Sequence, residues 1–516
     1  MLRISALVAG SVCALAAQPD PAALDSYIAR AMKTFQVPGI AVAVVHEGKV
    51  VLAKGYGVRR LGEAAPVDQH TLFGIGSNTK AFTTAALAML VDEGKLQWDD
   101  RVIDRLPWFQ MSDPYVTREI TIRDLLTHRS GMGLGAGDLL FFPPSTYTRD
   151  DILRKLRYIK PASSFRSRYA YDNLLYLAAG QVIPSVTGQP WEDFIRARIF
   201  QPLGMTDSNT SVADFQPGGN FASPHSEVEG KLQAIPPARV DNTAPAGAIN
   251  SSAADMAKWV AAQLHSGAIA GTDKRLFSER QSREMWSPQT ILPTPDPPAQ
   301  LAALRTDFAA YGLGWVLSLY RGHKSVGHTG GLPGYVSQVA LIPDLKLGVV
   351  VLTNQESDAM FRSVTCRILD DYLGAPPTDW IQAFHDVTGH RKAEAAETEK
   401  KQTAARAAES KPSLPLEKYA GHYADAWYGD IDIALEQGKL VMRFSHSPAL
   451  TGDLEHWQYD TFKARWRDRS LAADAFVTFA LKPDGAIRQI NMVPVSPLTD
   501  FSYDFQDLLI EPVSSH

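Results

Sequence analysis

The stretch Ser77-Asn78-Thr79-Lys80 begins a run whose apolar residues recur at helical spacing and which ends at Gly94. The apolar members of this run are Phe82, Ala85, Ala86, Met89 and Leu90. The spacing predicts a helix that begins near Ser77, and Gly94 suits the left-handed residue that often ends a helix because it lacks a Cβ. On this helix, the Ser77 hydroxyl and the Lys80 amine lie one turn apart on the same face.

Ser77 and Lys80 have the chemistry of a nucleophile and its base. A serine hydroxyl needs a base, and a lysine can serve only where its pKa falls from about 10.4 to roughly 7–8. Such a fall requires burial, a neighbouring cation or the field of a helix terminus. The motif alone is weak, because Ser-x-x-Lys should occur about once by chance in a chain of this composition. A helix-capping serine followed by a surface lysine is the simpler interpretation of an isolated motif.

Two further motifs follow the first along the chain. Tyr171-Asp172-Asn173 precedes an apolar helical stretch at 174–179, and His328-Thr329-Gly330 lies at the end of a predicted strand. With three motifs in this order, the sequence resembles the serine β-lactamase and penicillin-binding-protein superfamily. The resemblance is to the class C β-lactamase-like branch, which includes D-aminopeptidases, D,D-peptidases and esterases. It covers roughly residues 20–374.

The resemblance implies a catalytic role for three residues. Ser77 would attack the substrate carbonyl and form an acyl-enzyme. Lys80 and the Tyr171 phenol would share the work of taking and returning the proton. Water would then release the acyl group.

The resemblance also implies residues that bind and orient the substrate. Asn173 would hold the base and the substrate amide in place, and Thr329 and Gly330 would lie along the substrate on an edge strand. The backbone N–H groups of Ser77 and Gly331 would form an oxyanion hole, which contributes several kcal/mol in related hydrolases.

His328 departs from the pattern of β-lactamases and many penicillin-binding proteins, which carry lysine at this position. A histidine is mostly neutral at pH 7, so it does not supply a fixed cation for a substrate carboxylate. This argues against β-lactam hydrolysis and favours peptide, amide or ester substrates, with D-residues as one option. Two interpretations of His328 stay open, a substrate-orienting residue and a strand histidine without a direct role. His128 is predicted to be structural.

The order of the predicted elements indicates an α+β fold in which an antiparallel sheet is flanked by helices and interrupted by a helical insertion. A charged, helical segment and an all-β domain follow. The predicted elements are an opening helix over 20–32, strands over 39–45 and 50–57, a helical region over 99–250, strands over 312–319, 325–328, 336–342 and 347–352, and a closing helix around 361–372.

The pattern divides the chain into four segments. Residues 1–17 have the layout of a secretory signal peptide, with one early charge, an apolar run and small residues before Gln18, so we expect an exported protein, periplasmic or secreted. Residues 18–380 form the β-lactamase-like domain. Residues 381–413 form a charged helical linker, since 391–413 contains no large apolar residue. Residues 414–516 form the all-β domain, which resembles the lipocalin-like barrels appended to some family members, where the barrel can pack beside the active-site cleft.

Composition and motifs exclude several classes of function. The formal net charge of the 516 residues is -5, without the basic excess that phosphate-backbone binding uses, so we expect no nucleic-acid partner. No zinc, Walker or Gly-x-Ser-x-Gly motif is present, and we expect no metal and no cofactor. The apolar N-terminal run is too short for a stable membrane span. Cys366 is predicted to be a buried structural thiol. The sequence does not indicate the oligomeric state.

The leading hypothesis is an exported serine hydrolase that cleaves peptide or amide bonds in a peptide or small-molecule substrate. An esterase or a β-lactamase using the same site are the alternatives of the same class. A non-catalytic binding or sensor protein that retains the fold is the alternative of another class. Substrate specificity is expected to depend on loops, which the sequence does not interpret.

Overall fold

The computed structural model describes residues 20–513, and the predicted signal peptide lies outside the described residues. An eight-stranded antiparallel sheet forms the centre of the first domain. In spatial order its strands are Lys49–Gly57, Gly39–His46, Leu347–Thr353, Tyr335–Ile342, His323–Leu332, Val316–Tyr320, Ala309–Tyr311 and Thr290–Ile291. The strand Gly39–His46 therefore pairs with a strand that follows the helical insertion, with Ile40 opposite Thr353.

Helices cover both faces of this sheet. Along Gly39–His46 every residue except the last is buried, and Val42 and Val44 pack on the side of the helices Pro21–Phe35 and Asp358–Leu373. Ala41 and Ala43 face the opposite cluster, which includes the helix Thr79–Asp92. A strand covered on both faces reads as a continuous apolar run, which explains the sequence GIAVAVVH. Cys366 is buried in the second of the outer helices, as predicted.

The region between the two halves of the sheet is largely helix and loop, as predicted. Its α-helices are Thr79–Asp92, Val102–Arg105, Pro114–Glu119, Ile122–Leu125, Arg149–Lys155, Leu174–Thr187, Trp191–Ile195, Gln201–Leu203, Ala244–Gly247, Ala253–Leu264 and Glu279–Met285. The sequence did not predict the hairpin His225–Val228 and Lys231–Ala234 or the short pair Phe73–Gly74 and Asn250–Ser251. These strands are short and carry few β-branched residues, so they lack the pattern on which strand prediction depends.

The strand that carries His328 is longer than predicted. The sequence placed His328 at the end of a strand, whereas the strand runs over ten residues, His323–Leu332, through Gly330 and Gly331. Glycine normally weakens a strand, so the sequence pattern ends early. Here the glycine allows a close approach, since a Cβ on Gly330 would lie 1.9 Å from the carbonyl oxygen of Ile75.

A long helix joins the sheet domain to the second domain. The helix Trp380–Ala404 has 25 residues; its first turns bury Trp380, Ile381 and Phe384, and most of its later side chains are exposed. The charged segment 391–413 is thus helical up to Ala404. Within residues 20–513, none of the helices combines the length and the apolar character that crossing a bilayer requires.

The second domain is an eight-stranded antiparallel barrel that is nearly closed, which confirms the predicted all-β domain. Its strands in spatial order are Ile487–Pro494, Ala475–Leu481, Thr461–Trp466, Thr451–Gln458, Lys439–Phe444, Gly429–Glu436, Gly421–Asp425 and Glu511–Pro512. The two ends of this order meet where the Ile490 N–H donates to the Ile510 carbonyl at 2.8 Å. Ile431 and Ile433 point inward with the period of two that the sequence shows.

Candidate active site

Ser77 lies in a single turn of 3-10 helix, Gly76–Asn78, that leads directly into the helix Thr79–Asp92. The turn packs against the His328 strand so closely that a Cβ on Gly76 would lie 2.7 Å from the Gly331 backbone nitrogen. Gly76 also has a positive φ of 51°, which glycine adopts without strain. The residue before Ser77 therefore has to be small, because it lets the Ser77 turn reach the strand.

Lys80 is completely buried, so the interpretation as a surface lysine is wrong. Its Nζ lies 3.1 Å from Ser77 Oγ, 2.7 Å from Asn173 Oδ1 and 3.2 Å from the Ala246 carbonyl oxygen. Burial lowers the pKa of Lys80 to about 7, although the negative charges of Asp138 and Asp172 oppose this change. A substantial fraction of Lys80 is thus uncharged near neutral pH, and an uncharged amine can accept a proton.

Tyr171 approaches Ser77 from the segment that precedes the helix Leu174–Thr187. Its phenol oxygen lies 2.7 Å from Ser77 Oγ, and the Lys80 Nζ lies 4.8 Å from the centre of its ring. Burial raises the pKa of Tyr171 well above its usual value, despite the hydrogen bond to Ser77. The phenol is therefore protonated in the resting site and donates its proton toward the Ser77 oxygen.

Asn173 links the lysine to a carboxyl group that the sequence did not single out. The Asn173 Oδ1 accepts from Lys80, and its Nδ2 donates to Asp138 Oδ2 at 2.9 Å. Asp138 is completely buried, and burial raises its pKa, although the hydrogen bonds from Ser502 and Asn173 and the charge of Lys80 oppose this change. In the sequence, Asp138 could have been noticed as the one acidic residue within the otherwise apolar and glycine-rich segment 131–142.

His328 is buried and both of its ring nitrogens have partners. A carbonyl oxygen can only accept, so Nδ1 donates to the Thr329 carbonyl at 2.6 Å, and Nε2 accepts from the Tyr311 hydroxyl at 2.9 Å. Burial, with a smaller contribution from the nearby Lys80, lowers the pKa of His328 to about 3. His328 is therefore neutral, and its ring centre lies 6.2 Å from that of Tyr171.

The rest of the third motif alternates between the interior and the surface of its strand. Gly330 is buried under the Ser77 turn, whereas Thr329 and Gly331 are exposed. The backbone nitrogen of Gly331 lies beside Gly76, as described above, and thus near the Ser77 turn. The structure brings the residues predicted to form the oxyanion hole into the same region.

His128 packs beneath Tyr171, in agreement with the predicted structural role. Its side chain is fully buried, and its Nδ1 accepts from the Asp172 backbone N–H at 3.1 Å. Its ring centre lies 4.3 Å from that of Tyr171 and 4.4 Å from that of Tyr311. Burial lowers the pKa of His128, so it provides a neutral support for the phenol.

The barrel domain reaches the site through one segment, residues 500–507. The Phe501 ring packs edge-on against Tyr171 with 6.1 Å between ring centres, and Ser502 Oγ donates to Asp138 Oδ2 at 2.9 Å. Asp504 accepts from the backbone N–H groups of Gly137 and Leu139, at 2.6 and 3.1 Å. The barrel domain therefore borders the site.

Within residues 20–513, no group of three or more His, Cys, Asp or Glu side chains is placed to hold a metal ion. The chemistry available at the site is that of a hydroxyl, an amine, a phenol and backbone N–H groups. This set is sufficient for acyl transfer.

Comparison with known proteins places both domains in families. The family model described as Beta-lactamase matches residues 24–370, and a domain of unknown function, DUF3471, matches residues 405–512. The chain is 30% identical to the unguisins hydrolase ungD of Aspergillus violaceofuscus over 498 residues, which cover 90% of this chain and 86% of that protein. It is 31% identical to penicillin-binding protein 4 of Amycolatopsis lactamdurans over 364 residues, which cover 66% of this chain and 90% of that protein.

Solved structures with lower sequence identity share the fold. The octameric penicillin-binding protein homologue from Pyrococcus abyssi superimposes with a TM-score of 0.62 at 22% identity, covering 95% of this chain and all of that one. At this identity the likeness concerns the fold alone, and it includes both domains.

Proposed function

This chain belongs to the beta-lactamase family, whose members are mostly serine hydrolases, and we propose on that basis that it is a serine hydrolase acting through an acyl-enzyme on Ser77. One observation carries the proposal. Ser77 Oγ lies within hydrogen-bond distance of both the Lys80 amine, at 3.1 Å, and the Tyr171 phenol, at 2.7 Å. A nucleophile in contact with a base and with an acid is the arrangement that covalent catalysis requires.

The directions of the two pKa shifts support an assignment of the proton transfers. Lys80, with a pKa near 7, is the group that can accept the Ser77 proton at neutral pH as Oγ bonds to the substrate carbonyl carbon. Tyr171, with a raised pKa, is the group that donates a proton to the leaving nitrogen or oxygen. Lys80 then returns its proton to Tyr171. A water molecule attacks the acyl ester in the second half of the cycle, and Ser77 regains its proton.

The negative charge that develops on the carbonyl oxygen would be bound by the backbone N–H groups of Ser77 and Gly331. The close packing of Gly76 on the His328 strand supports this assignment, because it brings the two backbone segments together. Removing one donor of an oxyanion hole typically costs about 10²–10³ in kcat. The contribution is large because the donors are fixed before the reaction starts.

We propose peptide or amide bonds as the substrate class, including D-residue substrates, with esters as the alternative at the same site. The neutral and buried His328 supports this choice, because it offers no fixed cation for the carboxylate of a β-lactam. The relatives named as unguisins hydrolases also support a hydrolytic activity. A β-lactamase is the weaker alternative, and a non-catalytic binding protein is the alternative that labelling tests.

The decisive experiment is labelling by a fluorescent fluorophosphonate, which reacts with an activated serine. We expect the purified protein to be labelled and Ser77→Ala to be unlabelled. Ser278→Ala is the matched control, because Ser278 also lies at a helix N-terminus but contacts Asp92 rather than a lysine and a tyrosine. Labelling that persists in Ser77→Ala would refute the nucleophile, and a wild-type protein without labelling would favour the binding protein.

Substrate class follows from turnover of a panel of peptides, D-aminoacyl anilides, p-nitrophenyl esters and nitrocefin. We expect amide or peptide turnover, and Ser77→Ala should reduce kcat by about six orders of magnitude. Turnover restricted to the p-nitrophenyl esters would identify an esterase instead. A loss of only tenfold in Ser77→Ala would contradict the mechanism.

We also propose that the protein is exported, on the basis of the signal-like pattern in residues 1–17. Expression of the full chain in a Gram-negative host should place the protein in the periplasm with an N-terminus near Gln18. A cytoplasmic protein that retains Met1 would contradict export.

A further inference from the structure

Asp138 joins the two domains next to the proposed active site. Its Oδ2 accepts two hydrogen bonds of 2.9 Å, one from Asn173 Nδ2 in the sheet domain and one from Ser502 Oγ in the segment that extends from the barrel. The Asp138 side chain is completely buried, and the two donors come from parts of the chain that are distant in sequence. A single carboxyl oxygen therefore receives a contact from each domain.

These contacts form a continuous chain to the nucleophile. Ser502 binds Asp138, Asp138 binds Asn173, Asn173 binds Lys80 at 2.7 Å, and Lys80 lies 3.1 Å from Ser77 Oγ. Each link is a side-chain hydrogen bond. The position of the amine thus depends on groups up to three contacts away.

Asp138 determines which way the Asn173 amide faces. The Asn173 side chain ends in one acceptor and one donor group, and the two can exchange places by a half-turn of the amide. An accepting oxygen on Asp138 holds the NH₂ group on its own side, so the Oδ1 faces Lys80. The flipped amide would place its oxygen against the Asp138 oxygen, where an acceptor faces an acceptor, and the Lys80 N–H group would lose its acceptor.

The barrel domain also holds the backbone around Asp138. Asp504 accepts from the N–H groups of Gly137 and Leu139, the residues on either side of Asp138. Buried backbone N–H groups without partners are costly, so these bonds fix the local path of the chain. Ser502 and Asp504 thus hold the Asp138 side chain and its backbone from the same segment.

We propose that Asp138 is a positioning residue through which the barrel domain orients Asn173 and holds Lys80 for proton transfer with Ser77. This inference rests on the proposed function, because it concerns the same nucleophile and base. Asp138 does not touch the reacting atoms. It acts through Asn173, and the barrel domain acts through Asp138.

The charge of Asp138 gives this role a measurable signature. The Asp138 carboxylate raises the pKa of Lys80, and the Lys80 ammonium in turn lowers the pKa of Asp138 against the effect of burial. Asp138→Asn keeps an accepting oxygen but can never be charged. The pKa of Lys80 should therefore fall in Asp138→Asn, and the acid limb of the rate profile should move to lower pH. A shift of this limb reports the charge of Asp138 near Lys80, whereas the rates of Asp138→Ala and Ser502→Ala report its positioning role.

The test is the second-order rate constant for fluorophosphonate labelling of the full-length protein between pH 5 and 9. Asp138→Ala removes the acceptor, so we expect a rate about tenfold to a hundredfold lower, as misplaced groups typically cause. Ser502→Ala removes only the hydrogen bond from the barrel domain to the Asp138 side chain and should lower the rate severalfold. Asp138→Asn should keep most of the rate and shift the acid limb downward.

His446→Ala is the matched control. His446 contacts Thr146 across the same domain interface, through its ring nitrogen and through its carbonyl, but it does not touch Asp138. We expect its labelling rate to stay within about twofold of the wild-type value. Thermal melting of every variant separates loss of fold from loss of rate, and Asp138→Asn and Ser502→Ala provide the test if Asp138→Ala does not fold.

The possible failures are distinguishable. If the wild-type protein is labelled and Asp138→Asn and Ser502→Ala reproduce its rates and its acid limb, the positioning role is wrong while the proposed function stands. If His446→Ala loses as much rate as Ser502→Ala, the effect belongs to domain contact in general and the role is also wrong. If the wild-type protein is not labelled, both proposals fail.

Discussion

At the scale of single residues, Lys80 is held in a surrounding that favours its uncharged form. It is fully buried, and the oxygens of Ser77, Asn173 and Ala246 satisfy its amine. Burial of an ammonium group is costly, and the resulting fall of the pKa to about 7 makes the residue useful as a base. The same burial lowers the free energy of unfolding, because a buried amine is less well solvated than an exposed one. Two predictions follow from these effects, one on activity and one on stability.

The first prediction concerns activity. Lys80→Met preserves most of the volume but removes the proton acceptor, so the rate of fluorophosphonate labelling should fall by about 10²–10⁴, the usual contribution of a general base. The melting temperature should not fall, because an apolar side chain replaces a buried amine. Labelling within threefold of the wild-type rate would show that Lys80 is not the base.

The second prediction concerns the pH dependence of stability. The pKa of Lys80 is about 7 in the folded protein, against 10.5 for a lysine in water, so between these values the unfolded chain binds more protons than the folded one. The free energy of unfolding contributed by this group therefore rises with pH across that window and is constant below it. We expect wild-type protein to gain stability relative to Lys80→Met from pH 7 to pH 10 in urea titrations. A difference that does not change with pH would contradict the lowered pKa.

The motifs located Ser77, Lys80, Tyr171 and Asn173 from the sequence, because their spacing is local and ordered. Asp138 was missed, since a single acidic residue in a glycine-rich loop has no pattern of its own. Its relevance arises only from burial and from the contact with Asn173, both of which depend on the tertiary fold. The catalytic roles of the motif residues remain predictions until the labelling experiments are done.

At the scale of elements, the contact between the Ser77 turn and the His328 strand depends on two glycines. A Cβ on Gly76 would lie 2.7 Å from the Gly331 nitrogen, and one on Gly330 would lie 1.9 Å from the Ile75 carbonyl oxygen. Both atoms are backbone, which cannot move away as a flexible side chain can. The distance between the turn and the strand is therefore set by these glycines.

The third prediction is that Gly330→Ala forces the turn and the strand apart. Overpacking typically costs about 1–3 kcal/mol, and the backbone contact puts this variant at the upper end of that range. Labelling of Ser77 should also fall at least tenfold, because the turn that carries the proposed nucleophile moves. Urea titration and fluorophosphonate kinetics measure the two effects.

Gly389→Ala is the control for this prediction, since Gly389 lies in the long exposed helix and a Cβ there would meet no atom within 4 Å. It should raise the stability by up to about 1 kcal/mol. A Gly330→Ala variant with wild-type stability and labelling would show that the contact is not needed.

The sequence predicted the apolar strands well and the His328 strand incompletely. Runs such as Leu347–Thr353 are buried on both sides and are rich in valine, so their composition indicates a strand. The segment Thr329 to Gly331 lacks this composition. Its extended structure depends on packing against Ile75 rather than on local preference, so the sequence pattern does not indicate it. Tertiary contacts thus explain where the prediction stopped too early.

At the scale of the whole molecule, the barrel domain is joined to the sheet domain by buried polar contacts as well as by the long helix. Asp504 is fully buried and accepts two backbone N–H groups from the other domain. Buried donors that lose their acceptor cost about 1–3 kcal/mol each. We therefore expect these bonds to couple the unfolding of the two domains.

The fourth prediction is that Asp504→Ala weakens this coupling. We expect a loss of about 2–6 kcal/mol in the free energy of unfolding, because two buried N–H groups lose their acceptor. Differential scanning calorimetry should show one transition in the wild-type protein and a broadened or divided transition in the variant. Asp484→Ala, in an exposed turn of the barrel, should change the stability by less than about 1 kcal/mol. Equal melting profiles for both variants would contradict the prediction.

The residues that form the domain interface could not be predicted from the sequence. The resemblance indicated that a barrel can pack beside the cleft, but it did not indicate Ser502 or Asp504 as contacts. These residues lie in a polar segment that follows the last long strand, which reads as an ordinary loop. The partners are 364 and more residues apart in the chain, and no local pattern encodes such a pairing.

The pairing of Gly39–His46 with Leu347–Thr353 has a consequence for biosynthesis. The Gly39 N–H donates to Asn354 Oδ1, a residue that the ribosome adds 315 positions later. The strand Gly39–His46 therefore lacks its partner Leu347–Thr353, and its valine side chains are not fully buried, until most of the polypeptide has been translated. We therefore expect nascent chains of this protein to bind holding chaperones for much of their synthesis. Contacts between residues so far apart in sequence form slowly, and hydrophobic surface stays exposed until they form.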